Sequence, residues 1–250
     1  MNRLRKILER VIPILFWIGI WEAAYYLVHK DLLLASPVQV FRRLEMVTET
    51  AFWKTVGTTL LRGAEAWLAG ILAGTALALL CHASRLADML FQPMIGMIRA
   101  TPVASFIILA LVWLGASDVP VMAGLFMVLP IAFAHVTEGL RGIDPKLKEM
   151  MTVYRYSRWK RFTAVSLPSL LPGLVAACET GIGLCFKATV AAEVIGAPAD
   201  AIGSMLRNAK IYMETDALIA WTLVVILLSV MLEKLVGFLL RKGFSYAYHT

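Results

Sequence analysis

Charge is scarce in this chain. Asp, Glu, Lys and Arg make up 16% of its 250 residues and apolar residues make up 60%. A soluble domain carries roughly 25% charged residues. There is too little polar surface here to coat a water-soluble particle, so the composition indicates a membrane protein. Cysteine is scarce too. Cys81, Cys178 and Cys185 all lie in apolar runs and no CxxC occurs, which excludes a disulfide framework. The histidines at 29, 82, 135 and 249 are too scattered for a sequence-local zinc site. No His-Glu-x-x-His, Gly-x-Ser-x-Gly or cluster of carboxylates with histidine is present, so an intramembrane enzyme has no support. Internal repeats and low-complexity segments are also absent. The net charge of +7 is read as basic cytoplasmic loops and not as a nucleic-acid surface.

What the chain does have is long apolar runs. A bilayer core about 30 Å thick needs roughly 20 mostly apolar residues per helix. Six stretches qualify: 11–28, 60–81, about 92–114, about 119–138, about 168–195 and 217–240. The expectation is an all-α polytopic membrane protein with six transmembrane helices, forming one domain over 1–250. Pro93 and Pro102 fall in the third span, and Pro168 and Pro172 in the fifth. Membrane helices tolerate proline where neighbours satisfy the freed carbonyls. The first stretch is read as a span and not a cleaved leader, because it is long, aromatic and lacks a small-x-small end. With both termini inside, the inner segments hold 14 Lys and Arg against 7 outside, as the positive-inside rule requires.

Two local patterns concern packing. Ser36 and Pro37 are a cap and first-turn pair for an outer interfacial helix over 36–50, with Val40, Phe41, Leu44 and Val47 as its apolar stripe. Ala66, Gly70, Gly74 and Ala78 recur every four residues, a stripe that lets helix backbones approach closely.

The long inner loop, about 141–166, holds seven basic residues. Asp144 and Pro145 can start one short helix and Ser157 can cap another. Glu149 is followed by Met150 and Met151, then after three residues by Arg155, then after nine by Val165-Ser166-Leu167-Pro168. This resembles the cytoplasmic signature of permeases of binding-protein-dependent ABC importers: Glu-Ala-Ala, three residues, Gly, nine residues, Ile-x-Leu-Pro. The spacing is kept, and Glu149, Leu167 and Pro168 match by identity. Met150, Met151 and Arg155 depart from it. The family's glycine eases a bend; a side chain there disfavours positive φ, although a cation near a helix C-terminus is favourable. Ser36 to Val40, Arg99-Ala100-Thr101-Pro102 and Ala191 to Gly196 resemble the nitrate, sulfonate and taurine branch.

The resemblance implies a type I importer permease in the bacterial inner membrane. It implies a second permease chain, as a homodimer, two cytosolic ABC ATPase subunits and an extracytoplasmic substrate-binding protein. With no Gly-x4-Gly-Lys-[Ser/Thr] loop, ATP and Mg would belong to the ATPase partner, and this chain would hold no cofactor. Glu149, Met150, Met151, Arg155 and Ser157 would contact the ATPase, with both methionines filling its apolar cleft. Charges in spans mark pathways, so Arg99, Glu179, Lys187 and Glu193 are expected along the route of a small anion. An ion-gradient transporter or channel is the alternative, but it would usually show inverted repeats.

Overall fold

The structure, a computed structural model, describes residues 2–248, and among them every regular element is helical. In chain order these are α1 (Asn2–Val28), α2 (Pro37–Arg43), a 3-10 turn (Leu44–Thr48), α3 (Thr50–Ala83), α4 (Arg85–Ala100) and α5 (Val103–Trp113). There follow α6 (Val119–Arg141), α7 (Pro145–Val153), α8 (Arg158–Arg161), a π turn (Phe162–Ser166), α9 (Leu167–Gly196), α10 (Ile202–Ile211) and α11 (Thr215–Tyr248). Five segments are long and apolar enough to cross a bilayer: Val11–Val28, Thr50–Ala83, Val119–Arg141, Trp159–Gly196 and Thr215–Lys242.

The sixth expected span differs. Residues 92–114 are not one helix: α4 and α5 meet at a bend of 106°. Pro102 has no N–H and pushes the residue before it out of the helical region. Thr101 accordingly has ψ 126°, and its N–H and its hydroxyl both donate to the Met97 carbonyl, at 3.0 and 2.8 Å. The pair makes a sixth crossing only as a broken span.

Helices α3, α6 and α9 form the core. The small stripe of α3 is what brings it onto α6. Ala66, Gly70, Gly74 and Ala78 are all buried. A Cβ on Gly74 would lie only 2.7 Å from that of Ala132, and one on Gly124 only 2.7 Å from that of Ala66. One end of the bundle is filled by Ile95, Phe133, Val136, Leu140 and Leu170. Helix α1 stands apart, with none of its 11–28 window buried; the Trp21 indole N–H donates to the Ala35 carbonyl at 3.0 Å.

The connections 29–54 and 197–216 gather at one end. Ser36 caps α2 in a full capping box with Gln39. The helix expected over 36–50 is instead α2 followed by the 3-10 turn; of its apolar stripe Val40 is buried, Leu44 and Val47 pack on the core from the turn, and Phe41 is exposed. The segment 197–216, to which the sequence analysis assigned no element, contains α10. Its short length and polar residues hid it, yet Ile202, Gly203 and Ser204 pack inward. Ion pairs Arg43–Glu214 and Lys54–Asp200, with the Thr215 hydroxyl donating to the Leu32 carbonyl, tie these connections together.

Two glycines of α3 separate packing from propensity. Gly74→Ala should cost about 1–3 kcal/mol through overpacking against α6. Gly57→Ala, with nothing within 4 Å of the new methyl, should be neutral or stabilise by up to about 1 kcal/mol. Thermal unfolding in detergent reads the difference; equal melting of the two variants would refute the close α3–α6 approach.

Candidate functional site

The loop 141–166 is built as its caps dictate. The Asp144 carboxylate accepts from the Lys146 N–H at 2.8 Å and starts α7 at Pro145. At the other end Arg155 takes φ 51°. The Tyr156 N–H donates to the Met151 carbonyl at 3.0 Å and the Arg155 N–H to the Thr152 carbonyl at 3.1 Å, the two bonds of a Schellman cap. The glycine geometry of the signature is therefore kept with an arginine in place, at a backbone cost of about 1–2 kcal/mol. The Ser157 hydroxyl then accepts from the Lys160 N–H at 3.3 Å and starts α8.

The exposed face of this loop carries Glu149, Met150, Val153, Tyr154 and Trp159. Met151 is not on it. It is buried at 4% exposure, and the Arg161 guanidinium donates to its carbonyl at 3.4 Å. The expectation that both methionines point toward a partner is corrected: consecutive helical residues lie about 100° apart, so only Met150 faces out. Arg155 and Ser157 are exposed beside it.

At the other end of α9, Glu193 is fully enclosed. Its carboxylate accepts from the Thr59 hydroxyl at 3.0 Å, the Gly203 N–H at 3.1 Å and Arg62 at 3.2 Å. The Thr59 hydroxyl also accepts from the Ile202 N–H at 3.0 Å. Two free N–H groups at the start of α10 are thus satisfied by α3 and α9. Gly203 is required here, because a Cβ would overlap Glu193 and the α9 backbone. The structure does not bring Glu193 onto a shared open face with Lys187. Six residues turn a helix through about 600°, leaving the two about 120° apart. Glu193 is a clasp between three helices, and sequence reading missed its partners because Thr59 and Arg62 lie 134 and 131 positions away.

Glu179 and Lys187 do come together, on one open groove of about 710 Å³ between α9 and α11. Neither stands alone. Arg241 pairs with Glu179 at 3.1 Å and Lys187 with Glu233 at 3.5 Å. Gly183 leaves room for the Glu233 side chain, and Gly237 for that of Glu179. The side chains of Lys187 and Glu233 are 57% and 42% exposed. Lys234 lines the same groove. The α11 charges were missed by sequence reading, although Glu233 and Lys234 interrupt an apolar run and were the available signal.

Arg99 sits apart, in the last turn of α4 at the break. It donates to the Pro130 carbonyl at 3.4 Å and has no salt bridge among the described residues. The buried cysteines Cys81, Cys178 and Cys185 are free, and no metal-binding cluster occurs among the described residues.

Two substitutions test these assignments. Glu193→Ala should destabilise the fold by about 3–5 kcal/mol, the scale for breaking a buried pair, and should loosen α10 in hydrogen exchange; unchanged protection at Ile202 and Gly203 would refute the clasp. Arg155→Gly should retain the bend and slow exchange at the Tyr156 amide, because the left-handed strain is relieved. Faster exchange there would show that the arginine side chain holds the turn.

Residues 68–243 match the family described as "Binding-protein-dependent transport system inner membrane component". The chain is 23% identical over 229 residues to the putative aliphatic sulfonates transport permease protein SsuC of Bacillus subtilis, covering 90% of this chain and 82% of that one. It is 23% identical over 221 residues to the taurine transport system permease protein TauC of Escherichia coli, covering 85% and 80%. Both belong to the branch that the sequence motifs indicate. A solved amino acid ABC transporter "with histidines" shares the fold with a TM-score of 0.67 at 19% identity, over 80% of this chain and 97% of that one. The chain is a permease of the type I importer fold and belongs to the inner-membrane components of binding-protein-dependent transport systems.

Proposed function

We propose that this permease imports a small anion by alternating access, as a homodimer driven by two cytosolic ABC ATPase subunits and supplied by an extracytoplasmic binding protein. Both termini lie in the cytosol, and the face of α7 and α8 with Glu149, Met150, Arg155 and Ser157 meets the ATPase. The names of the sulfonate and taurine relatives support the anion.

One observation carries the reading. Four paired charges on α9 and α11 stand partly exposed within spanning segments. An ionised side chain facing hydrocarbon costs at least roughly 2.5–3.5 kcal/mol, so this face is turned to water or to a second protein. A groove between two permease copies satisfies both. Lys187 then offers a passing anion one positive charge, which Glu233 moderates, and Glu179 with Arg241 repeats the arrangement nearer the cytosolic end.

Lys187→Met should reduce uptake at least tenfold while complex assembly and basal ATP hydrolysis persist. Because it strands Glu233, Lys187→Met with Glu233→Gln should restore any lost stability without restoring uptake. Normal uptake in either variant would refute the pathway. Topology has its own check: a cysteine at position 160 should react with an impermeant maleimide only after cells are permeabilised, and labelling of intact cells would invert the orientation.

A further inference from the structure

The break between α4 and α5 opens a cavity of about 350 Å³ against α6, within the range of small-molecule sites, about 300–1,000 Å³. Its wall is apolar: Met94, Met97, Phe106, Phe126, Met127 and Ile131 contribute to it. The Phe106 and Phe126 rings meet at 4.5 Å. Methionine side chains reshape readily around ligands of different form. Arg99 is the one charged side chain on this wall among the described residues. Its guanidinium has five N–H donors and one hydrogen bond is made, to the Pro130 carbonyl. On its other side Arg99 borders a cavity of about 340 Å³ that includes Glu138 and Arg141, and no ion pair forms with Glu138.

A single cation beside an apolar wall discriminates between kinds of anion. An inorganic oxyanion would surrender hydration to a surface that returns one charged contact. An organic anion places its head group on the guanidinium and its tail on the methionines and phenylalanines. Each buried methylene is then worth about fourfold in affinity. We propose that this cavity binds an organic monoanion with an apolar tail, Arg99 taking the sulfonate or carboxylate head, and that it selects such anions over nitrate-like ions. The proposal rests on the importer reading and specifies its substrate class.

The test uses the permease assembled with its ATPase subunits in nanodiscs, without binding protein, titrated calorimetrically with methane-, ethane-, propane- and butanesulfonate. Affinity should rise about three- to fourfold per methylene. Nitrate and butylammonium should bind at least tenfold more weakly than butanesulfonate. Arg99→Gln should weaken butanesulfonate at least tenfold, Arg99→Lys should keep most of the binding, and Val103→Phe should flatten the chain-length series. Pentanoate within threefold of butanesulfonate assigns the site to the shared anionic head; a tenfold preference for either names the head, and both results support the proposal. A flat series in the wild type, nitrate binding as tightly as butanesulfonate, or unchanged binding in Arg99→Gln would overturn it. If ATP hydrolysis stimulated by the binding protein is intact in that case, only the substrate class fails. If that stimulation is absent as well, the importer reading fails with it.

Discussion

Inside a bilayer no water stands by to bond a stray carbonyl or to solvate a carboxylate, so every departure from regular helix must find its partner in protein. The described departures obey this. Glu193, the one fully buried carboxylate among the described residues, receives three donors and in return satisfies the start of α10. The broken span closes its last α4 turn twice onto the Met97 carbonyl. The α9–α11 charges occur as pairs. The part of those pairs left exposed is what this chain does not itself shield from its surroundings.

Packing follows from the same solvent. Lipid tails are as apolar as leucine, so helices gain little by burying leucine against one another and associate instead by close backbone approach. That is why α3 meets α6 through glycine and alanine while its Leu61, Leu68 and Leu72 point outward. The large side chains fill the wedge-shaped spaces where helices diverge, around Phe133 and Leu140 at one end and around Phe52, Phe186 and Trp221 at the other.

The spans, the α2 cap, the small-residue stripe and the two loop helices were legible in the sequence because each is read from one contiguous stretch of chain. Glu193 shows where that legibility stops. Its neighbours Ala191 to Gly196 looked like a motif, but its role depends on Thr59 and Arg62, and no periodicity connects positions so far apart. Met151 failed for a different reason: a motif gives a position in the chain, whereas the face it occupies depends on which side of α7 the bundle covers. The break at Pro102 was visible as a proline and still read as tolerated inside a continuous span. The Thr101 N–H keeps the Met97 carbonyl that a continuous helix would give it, and the turn of the chain comes from ψ 126° at Thr101 before Pro102.

One helix, α9, connects the loop, the α9–α11 groove and the Glu193 clasp. Over 30 residues, about 45 Å at 1.5 Å each, α9 runs from the inner loop to the Glu193 clasp, with Glu179 and Lys187 between. Its inner end is not a plain helix start. The Schellman cap at Arg155 and Ser157 joins α7 to α8, and Arg161 bonds back to the Tyr156 and Met151 carbonyls. The wider π turn 162–166 then leads into α9, where the Leu167 N–H reaches back to the Phe162 carbonyl. A π turn inside an α-helix commonly marks a functional site. The break in regular α-helix therefore lies between the loop and the span, while the far end of α9 is held by Glu193. Residues 162–166 are the one covalent link from α7 and α8 to Glu179 and Lys187, so the geometry of that turn sets how α9 leaves the loop.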